Sequence, residues 1–533
     1  MTALSPSKSN LWSAPSDTWR KATTGLWRRP LSPTQLFSGA CLLLYVAAGL
    51  WIRFGLDYTI GDALSRSATA RAVVFSADPK ATAVGFVWLP LPTLAQIPFV
   101  IMLEPFGWAE FAGPLSTACW AALTVALLIR VGRRLGLSTY LTMVFVALYA
   151  LNPLIIFQAA NGMSEAMFYL VLVWALSGLL DWMDTPGPRP ELQVGFALAA
   201  AMAIRYESLF LAMAIAVLMG LRRSTWTARL VTAGVVALPA FYVFIVWLAA
   251  NRLIMGDALF WKHGLDVTGK PPTDAAWLPA ATFRAGMAYS LGRTAMVAPG
   301  LLILPVFLVR RRETRTVGMT IVAAGSVFAI FTGLLVGRGA SWGNLRYYTP
   351  AVTVVAVLVL WLATRWRSPG ARTGLWLVLA LGAVSGAAAA NNRLASAPEH
   401  DWQVFAPALG LSTALDDAAT TEEVSGLNAQ RWRMVARSID QRLADDPELR
   451  VVIDMGEAFP VFLMTDYPAR YLIDSDLDYE ARAATGFIGF DLGYGTAEST
   501  GRFVEGIGHD GGSQWETEPL GGGTLYIRKP STE

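Results

Sequence analysis

The sequence predicts a polytopic α-helical membrane protein that ends in a small solvated α/β domain. Three observations predict it. Of 533 residues, 54% are hydrophobic and only 15% charged, where a soluble enzyme carries nearer a quarter. Apolar runs of about 20 residues recur, each long enough to cross about 30 Å of hydrocarbon as a helix. Charge is also divided along the chain. Residues 393–533 hold 24 acids and 11 bases, and the remainder holds 15 acids and 31 bases. A basic apolar body followed by an acidic polar tail suggests a membrane part and a separate solvated part.

Residues 1–33 form a polar tail with Lys8, Arg20, Lys21, Arg28 and Arg29. No cleavable signal peptide is expected, and the positive-inside rule assigns this tail to the cytoplasm. A first span, 36–54, leads out. Residues 55–107 then form a long outer loop with two helical stretches, 62–75 and 91–103. The second is apolar but short and carries Pro92 and Pro98, so it reads as lying at the interface.

Basic loops orient the later spans. The run 111–131 ends in Arg130, Arg133 and Arg134, hence inside. Run 140–158 then goes out, 165–182 returns, and 193–204 goes out. Run 208–221 returns to Arg222 and Arg223, and 229–250 goes out. Run 288–309 returns to Arg310, Arg311, Arg312 and Arg315, and 317–336 goes out. Run 348–363 returns to Arg365, Arg367 and Arg372, and 375–390 goes out. The expectation is about eleven spans in a body of residues 34–392, with 393–533 outside the cytoplasm. Cys41 and Cys119 both fall in apolar runs. They read as small core residues, and no disulfide framework or thiolate metal site is expected.

Residues 393–533 change character. Positions 431–443 have helical spacing, and 449–455, 469–473, 486–490 and 524–527 are short β-type apolar runs. Gly521-Gly-Gly523 precedes a strand and opens no helix, so it reads as a turn and not a phosphate loop. Asp474, Asp476 and Asp478 alternate, without the glycine and glutamate of an EF-hand loop, and read as solvated.

Residues able to carry chemistry gather on the outer side. Asp62 opens the helix 62–75. It suits a helix N-cap, and a capping carboxylate accepts backbone N–H groups that hold it in place. Arg66, one turn on, would share its face and pair with it. An ionised, anchored carboxylate suits a base that takes a proton from a hydroxyl. Glu165, in Asn161-Gly-Met-Ser-Glu165, is the second acid, equally readable as a first-turn acid favoured by the helix dipole. Arg205-Tyr206-Glu207 lies at an outer turn. Arg205 and Glu207 pair simply with each other, or Arg205 holds a lipid phosphate. The loop 251–287 carries Asp257, Phe260, Trp261, Lys262, His263 and Arg284. Its aromatics suit anchoring at headgroup depth. Lys262 and His263 are candidate phosphate contacts, although a solvated loop explains each alone. Arg338, Arg346 and Tyr347 form the last outer cluster.

These motifs, in this order, resemble the GT-C superfamily of polyprenyl-phosphate-sugar-dependent glycosyltransferases. The closer likeness is to the branch of protein O-mannosyltransferases and lipid A aminoarabinose transferases. Gly61-Asp62-Ala-Leu-Ser-Arg66-Ser-Ala-Thr-Ala-Arg71 resembles that branch's acidic motif in the first outer loop. Trp88-Leu-Pro90-Leu-Pro92 resembles the start of its juxtamembrane helix. Ser164-Glu165-Ala-Met resembles the second acidic site, and Arg346-Tyr347-Tyr348-Thr-Pro350 resembles the Arg-Tyr-x-x-Pro opening of a late span. The likeness covers roughly residues 30–390. Ala63 stands where the branch has the second acid of an Asp-Glu pair, and Leu89 where the aminoarabinose enzymes have a lysine.

The resemblance implies a GT-C-like fold and a mechanism. A polyprenyl-phosphate-linked sugar comes laterally from the lipid bilayer. Asp62 deprotonates an acceptor hydroxyl on an envelope glycan, lipid or protein. The hydroxyl attacks the anomeric carbon with inversion, and polyprenyl phosphate leaves. Arg66, Trp88, Arg205, Tyr206, Glu207, Lys262, His263, Arg338, Arg346 and Tyr347 are the substrate-binding candidates, with Asp62 and Glu165 the catalytic ones. No cofactor is firmly expected. Some GT-C branches use a divalent metal, held by more acids than this loop supplies, so metal-independent chemistry is the expectation. No nucleic-acid partner is expected. The Ala- and Arg-rich composition fits a bacterial plasma membrane. The rival reading is a transporter or flippase of lipid-linked envelope precursors, which calls for broken helices and ionisable residues near the membrane midplane.

Overall fold

The structure, a computed structural model, describes residues 31–262, 283–310, 314–315, 345–391, 429–453, 455–456, 458–473, 488–491, 515–520 and 523–528. Helix α1 (Pro33–Leu50) starts at a reciprocal cap. The Ser32 hydroxyl accepts the Gln35 N–H, the Gln35 side chain accepts the Ser32 N–H, and Pro33 needs no donor at the first helical position. One π-helical turn, Trp51–Gly55, completes a first span of 23 residues.

The loop that follows contains helix α2 (Gly61–Phe75) and helix α3 (Pro90–Leu103). With 14 residues and Pro98 inside it, α3 is too short to cross a bilayer, and it leaves Leu94, Ile101 and Met102 exposed. Helix α4 (Ala112–Arg134) is a full span. Helices α5 (Thr139–Ala150) and α6 (Pro153–Ala160) are bent by 72° at their junction. Next come α7 (Glu165–Asp184), α8 (Pro188–Met202), α9 (Ser208–Leu221) and α10 (Trp226–Met255). Helices α11 (Phe283–Val297) and α12 (Gly300–Arg310) are bent by 92°. Helices α13 (Pro350–Arg365) and α14 (Pro369–Asn391) close the helical body.

Among the described residues, six helices are long and apolar enough to cross a membrane, or eight spans if each bent pair is one. The chain is therefore a multi-pass membrane protein. Of about eleven expected spans, the described residues account for six, or eight with the bent pairs. The expected 140–158 breaks where Asn152 caps α6 through its carboxamide (3.0 Å to the Leu154 N–H) and Pro153 follows. The expected 288–309 breaks at Pro299, ahead of α12. The expected 193–204 and 208–221 belong to α8 and α9, of 15 and 14 residues, which fall short of the length of a full crossing. The expected 317–336 lies outside the described residues.

The C-terminal part contains helix α15 (Ala429–Asp445), helix α16 (Phe459–Met464) and a five-stranded sheet of order β2-β1-β3-β5-β4. Its strands are β1 (Val451–Ile453), β2 (Tyr471–Ile473), β3 (Ile488–Asp491), β4 (Trp515–Leu520) and β5 (Gly523–Arg528). β1 pairs in parallel with β2 and β3, and β5 runs antiparallel to β3 and β4. Leu520 lies opposite Gly523; Gly521 and Gly522, where a turn is expected, lie outside the described residues. β4 was not expected, because Trp515-Glu-Thr-Glu-Pro-Leu520 offers no apolar run. Its Pro519 is tolerated because β4 is an edge strand. Helix α15 buries Trp432, Val435, Ala436, Ile439 and Leu443, a helical stripe. That stripe shares one core with Leu64, Ala68 and Ala72 of α2.

Candidate active site

Helix α2 lies in a tight seat. Gly113 of α4 and Gly162, in the loop before α7, meet beneath it. A Cβ on Gly113 would come within 2.8 Å of Ser67 Oγ, and one on Gly162 within 3.2 Å of Ala63 Cβ. Gly162 has φ +82°, a left-handed conformation suited to glycine. The Ser67 hydroxyl donates to Gln96 Oε1 at 2.8 Å, and Gln96 Nε2 donates to the Gly162 carbonyl at 3.3 Å. Asn161 turns the loop by accepting the Met163 N–H at 2.9 Å. The result is a rigid junction of α2, α3, α4 and the start of α7.

Around this junction three arginines meet three carboxylates. Asp62 Oδ2 pairs with Arg346 Nη2 at 3.0 Å. Arg205 bridges two acids, with Nη1 to Glu165 Oε1 at 2.8 Å and Nη2 to Glu207 Oε1 at 2.9 Å. Arg66 is buried with its guanidinium 5.0 Å from the Trp88 ring centroid. It donates Nη1 to the Asp62 carbonyl (3.3 Å) and reaches Met163 Sδ (3.6 Å). Met163 also lies 4.0 Å from Arg346 Nη1, so one thioether separates two guanidinium groups. The Tyr347 ring carries Arg205 (5.2 Å) and Arg346 (5.3 Å), and Phe168 supports Arg205 at 5.7 Å.

Two expectations about Asp62 are corrected. It is not the N-cap of α2. Ile60 takes that place, and no side chain caps the helix; Asp62 is the acid of the first turn. Nor does its carboxylate pair with Arg66. The long arginine side chain turns onto Trp88 and Met163 instead, and Arg346 takes the acid. Glu165 begins α7 as expected but is 1% exposed, a buried anion that its partner Arg205 makes tolerable. The expected Arg205–Glu207 pair forms.

Burial lowers the Arg66 guanidinium's proton affinity, and the Asp62 and Glu165 carboxylates oppose that. For Arg205 burial acts in the same direction but loses, because Glu207 and Glu165 together raise its pKa above the usual value. Burial would raise the Glu207 carboxyl, yet the Arg205 guanidinium holds it below the usual glutamate value. Arg205 is thus committed to two carboxylates. Among the described residues Arg66 Nε and Glu165 Oε2 are buried without a hydrogen-bond partner. A buried guanidinium with an unfilled donor is suited to an anion.

An aromatic wall flanks the charges. Tyr206 stacks on Trp261 at 4.2 Å, its hydroxyl accepts Trp247 Nε1 at 3.0 Å, and Phe86 stacks on Trp247 at 5.4 Å. Lys262, next to Trp261, is exposed. His263 and Arg338 lie outside the described residues. Met163, Phe168 and the glycine seat were not singled out from sequence. Met163 and Gly162 lie within the Asn161–Glu165 motif, but an apolar side chain and a glycine there carry no charge signal.

No protein-family model matches the chain, and no curated protein matches it. The solved structures similar to it include two crystal structures of one protein. ArnT from Cupriavidus metallidurans bound to undecaprenyl phosphate is 12% identical, over 93% of this chain and 98% of that one, with a TM-score of 0.49. The same protein in the apo state is 14% identical, over 95% and 98%, with a TM-score of 0.47.

Proposed function

We propose that this chain is a membrane glycosyltransferase of the GT-C type. It moves a sugar from a polyprenyl-phosphate carrier to a hydroxyl on an extracytoplasmic glycan, lipid or protein. The observation that carries the reading is the Asp62–Arg346 pair beside buried Arg66. A partly open carboxylate, with 28% of its side chain exposed, stands next to cations fit to receive a phosphate. The sequence motifs that resemble the GT-C branch converge on the same cluster.

In this reading the phosphate of the donor sits against Arg66 and Arg346. With 28% of its side chain exposed, Asp62 is open to an acceptor hydroxyl. Asp62 takes the hydroxyl proton as the oxygen attacks the anomeric carbon. The carbon–oxygen bond to phosphate breaks, and polyprenyl phosphate leaves with its charge held by the arginines, stabilisation by fixed cations placed where charge develops. Glu165 and Glu207 keep Arg205 oriented. Trp88, Tyr206 and Trp261 line the approach, with Lys262 beside them. The active site and residues 393–533 lie on the extracytoplasmic side.

The test is to incubate purified protein with a panel of polyprenyl-phosphate sugars and an envelope extract, and to identify released polyprenyl phosphate and the glycosylated product by mass spectrometry. Release that depends on the protein and on one donor is expected. No release from any donor overturns the reading. The two broken helix pairs suit the transporter reading. It predicts instead protein-dependent movement of intact lipid-linked sugar across a vesicle membrane.

A further inference from the structure

Helix α2, which carries Asp62 and Arg66, is tied to the C-terminal chain at both ends and along one face. Ahead of its N-terminus, the Asp57 carboxylate accepts Arg433 Nη1 and the Gln430 N–H, each at 2.8 Å. Arg433 also reaches Glu110 at 3.3 Å, and Glu110 pairs with buried Arg53 at the end of the first span. Near the other end Arg71, 4% exposed, bonds three partners. It grips the Glu104 carboxylate, with Nε 2.9 Å from Oε2. It donates Nη1 to the Phe462 carbonyl at 2.7 Å and Nη2 to the Thr465 carbonyl at 2.9 Å. Asp440 fixes the receiving loop by accepting the Thr465 hydroxyl and the Asp466 N–H. Between the ties, Leu64, Ala68 and Ala72 share a core with Trp432, Val435, Phe462 and Tyr471.

The gripped face is the back of the helix. At about 100° per residue, Arg71 lies opposite Asp62 on the helix surface. Helix α2 has 15 residues, is rich in Ala, Ser and Thr, and has no side-chain cap. Such a helix is marginal by itself in water, so its order and rotation come from what holds it.

We infer that the C-terminal α/β elements are a positioning device for the site, with Arg71 and Arg433 as positioning residues that set where Asp62 stands relative to Arg346. This rests on the reading of the site proposed above. Neither arginine touches the carboxylate it positions. Their effect reaches it through α2 and the segments that flank it.

The test uses the full chain in nanodiscs. Arg71→Ala and Arg433→Ala cut one tie each, and Arg71→Lys restores the charge and part of the bonding. Arg437→Ala changes an exposed arginine on the same C-terminal helix and is the control. Hydrogen–deuterium exchange over residues 61–75 is expected to rise about tenfold in each alanine variant, because a charge-assisted hydrogen bond weighs on that order in a local opening equilibrium. Exchange in α7 and α13 stays at the wild-type rate, and Arg71→Lys falls between. With the donor that the wild type accepts, kcat drops in the same order as exchange rises, and KM changes less than kcat. A loss of folded protein would instead raise exchange in α7 and α13 as well. Unchanged exchange in α2 in both alanine variants overturns the inference, and so does faster exchange with full kcat. If the wild type turns over no donor, the proposed function fails, while the exchange measurement still decides whether these ties hold α2.

Discussion

The Asp62 carboxylate pairs with Arg346 at 3.0 Å, not with Arg66 one turn along its own helix. The loop that starts a late span thereby reaches back to the first loop of the chain. Arg346 therefore has two tasks in the proposed reaction. It orients the base and faces the phosphate. Arg346→Lys keeps the charge but loses the fork that serves two partners. We expect kcat/KM for transfer to fall about tenfold in Arg346→Lys and about 100-fold or more in Arg346→Ala, as a steady-state assay would show. Equal rates in both variants and the wild type would remove Arg346 from the mechanism.

The second pair is structural in weight. Glu165 is 1% exposed and shares Arg205 with Glu207. Glu165→Gln leaves a buried guanidinium with one carboxylate. Breaking a buried pair costs about 3–5 kcal/mol, and the second acid softens this toward the lower figure. Thermal unfolding in detergent should show a clear drop in midpoint. A midpoint equal to the wild type would mean that Arg205 is satisfied without Glu165.

The pH dependence follows from Glu207. Its folded-state pKa lies below the unfolded value, because Arg205 outweighs burial. It therefore contributes stability at pH above its unfolded value of 4.5, and that contribution is lost as pH falls through the lower folded pKa. A Glu207→Gln variant should lose stability at neutral pH and show a smaller drop than the wild type on acidification below that value. Parallel acid profiles for the two proteins would contradict this.

Gly162 tests the seat under α2. Its φ of +82° strains any side chain, and the 3.2 Å approach of Ala63 Cβ leaves little space for one. Gly162→Ala should destabilise the protein by about 1–3 kcal/mol through backbone strain. It should also displace Met163 and lower transfer, whereas Gly136→Ala, with φ +94° and open space, should show the strain without the loss of transfer. Full activity in Gly162→Ala would show that the seat does not position the site.

How much of this was legible in the sequence depends on the range of each interaction. Arg205 and Glu207 are two residues apart, and their pair was readable. The partners of Asp62 and Glu165 come from distant parts of the chain, which local spacing does not encode. Gly61-Asp62-Ala-Leu has the pattern of a cap, yet the helix begins two residues earlier than that pattern implies, and helix starts vary by a residue or two around such signals. The bend at Asn152-Pro153 has a local signal, an Asn-Pro turn pair, which the apolar length of the run obscured. The short helix Pro90–Leu103 was readable as one that does not cross, because its length and prolines both argue against a crossing. The docking of α15 on α2 was not, since an amphipathic stripe shows that a face is covered but not by what.

Topology is tested most simply by labelling. In a Cys41→Ala, Cys119→Ala background, cysteine at exposed Pro79 should react with an impermeant maleimide in intact cells. Cysteine at exposed Arg133 should react only after permeabilisation. The reverse pattern would turn the site toward the cytoplasm.

The most direct measurement of the central claim is transfer by Asp62→Asn. Asparagine keeps the size of aspartate and its place in the first turn, but it does not take a proton. Loss of a general base lowers rate by about 10²–10⁴-fold. We predict a folded, monodisperse Asp62→Asn protein that still binds polyprenyl phosphate through Arg66 and Arg346 and transfers sugar at least about 100-fold more slowly. Near-normal turnover by that variant would contradict the account, and Glu165, tested as Glu165→Gln in the same assay, would then be the acid to examine.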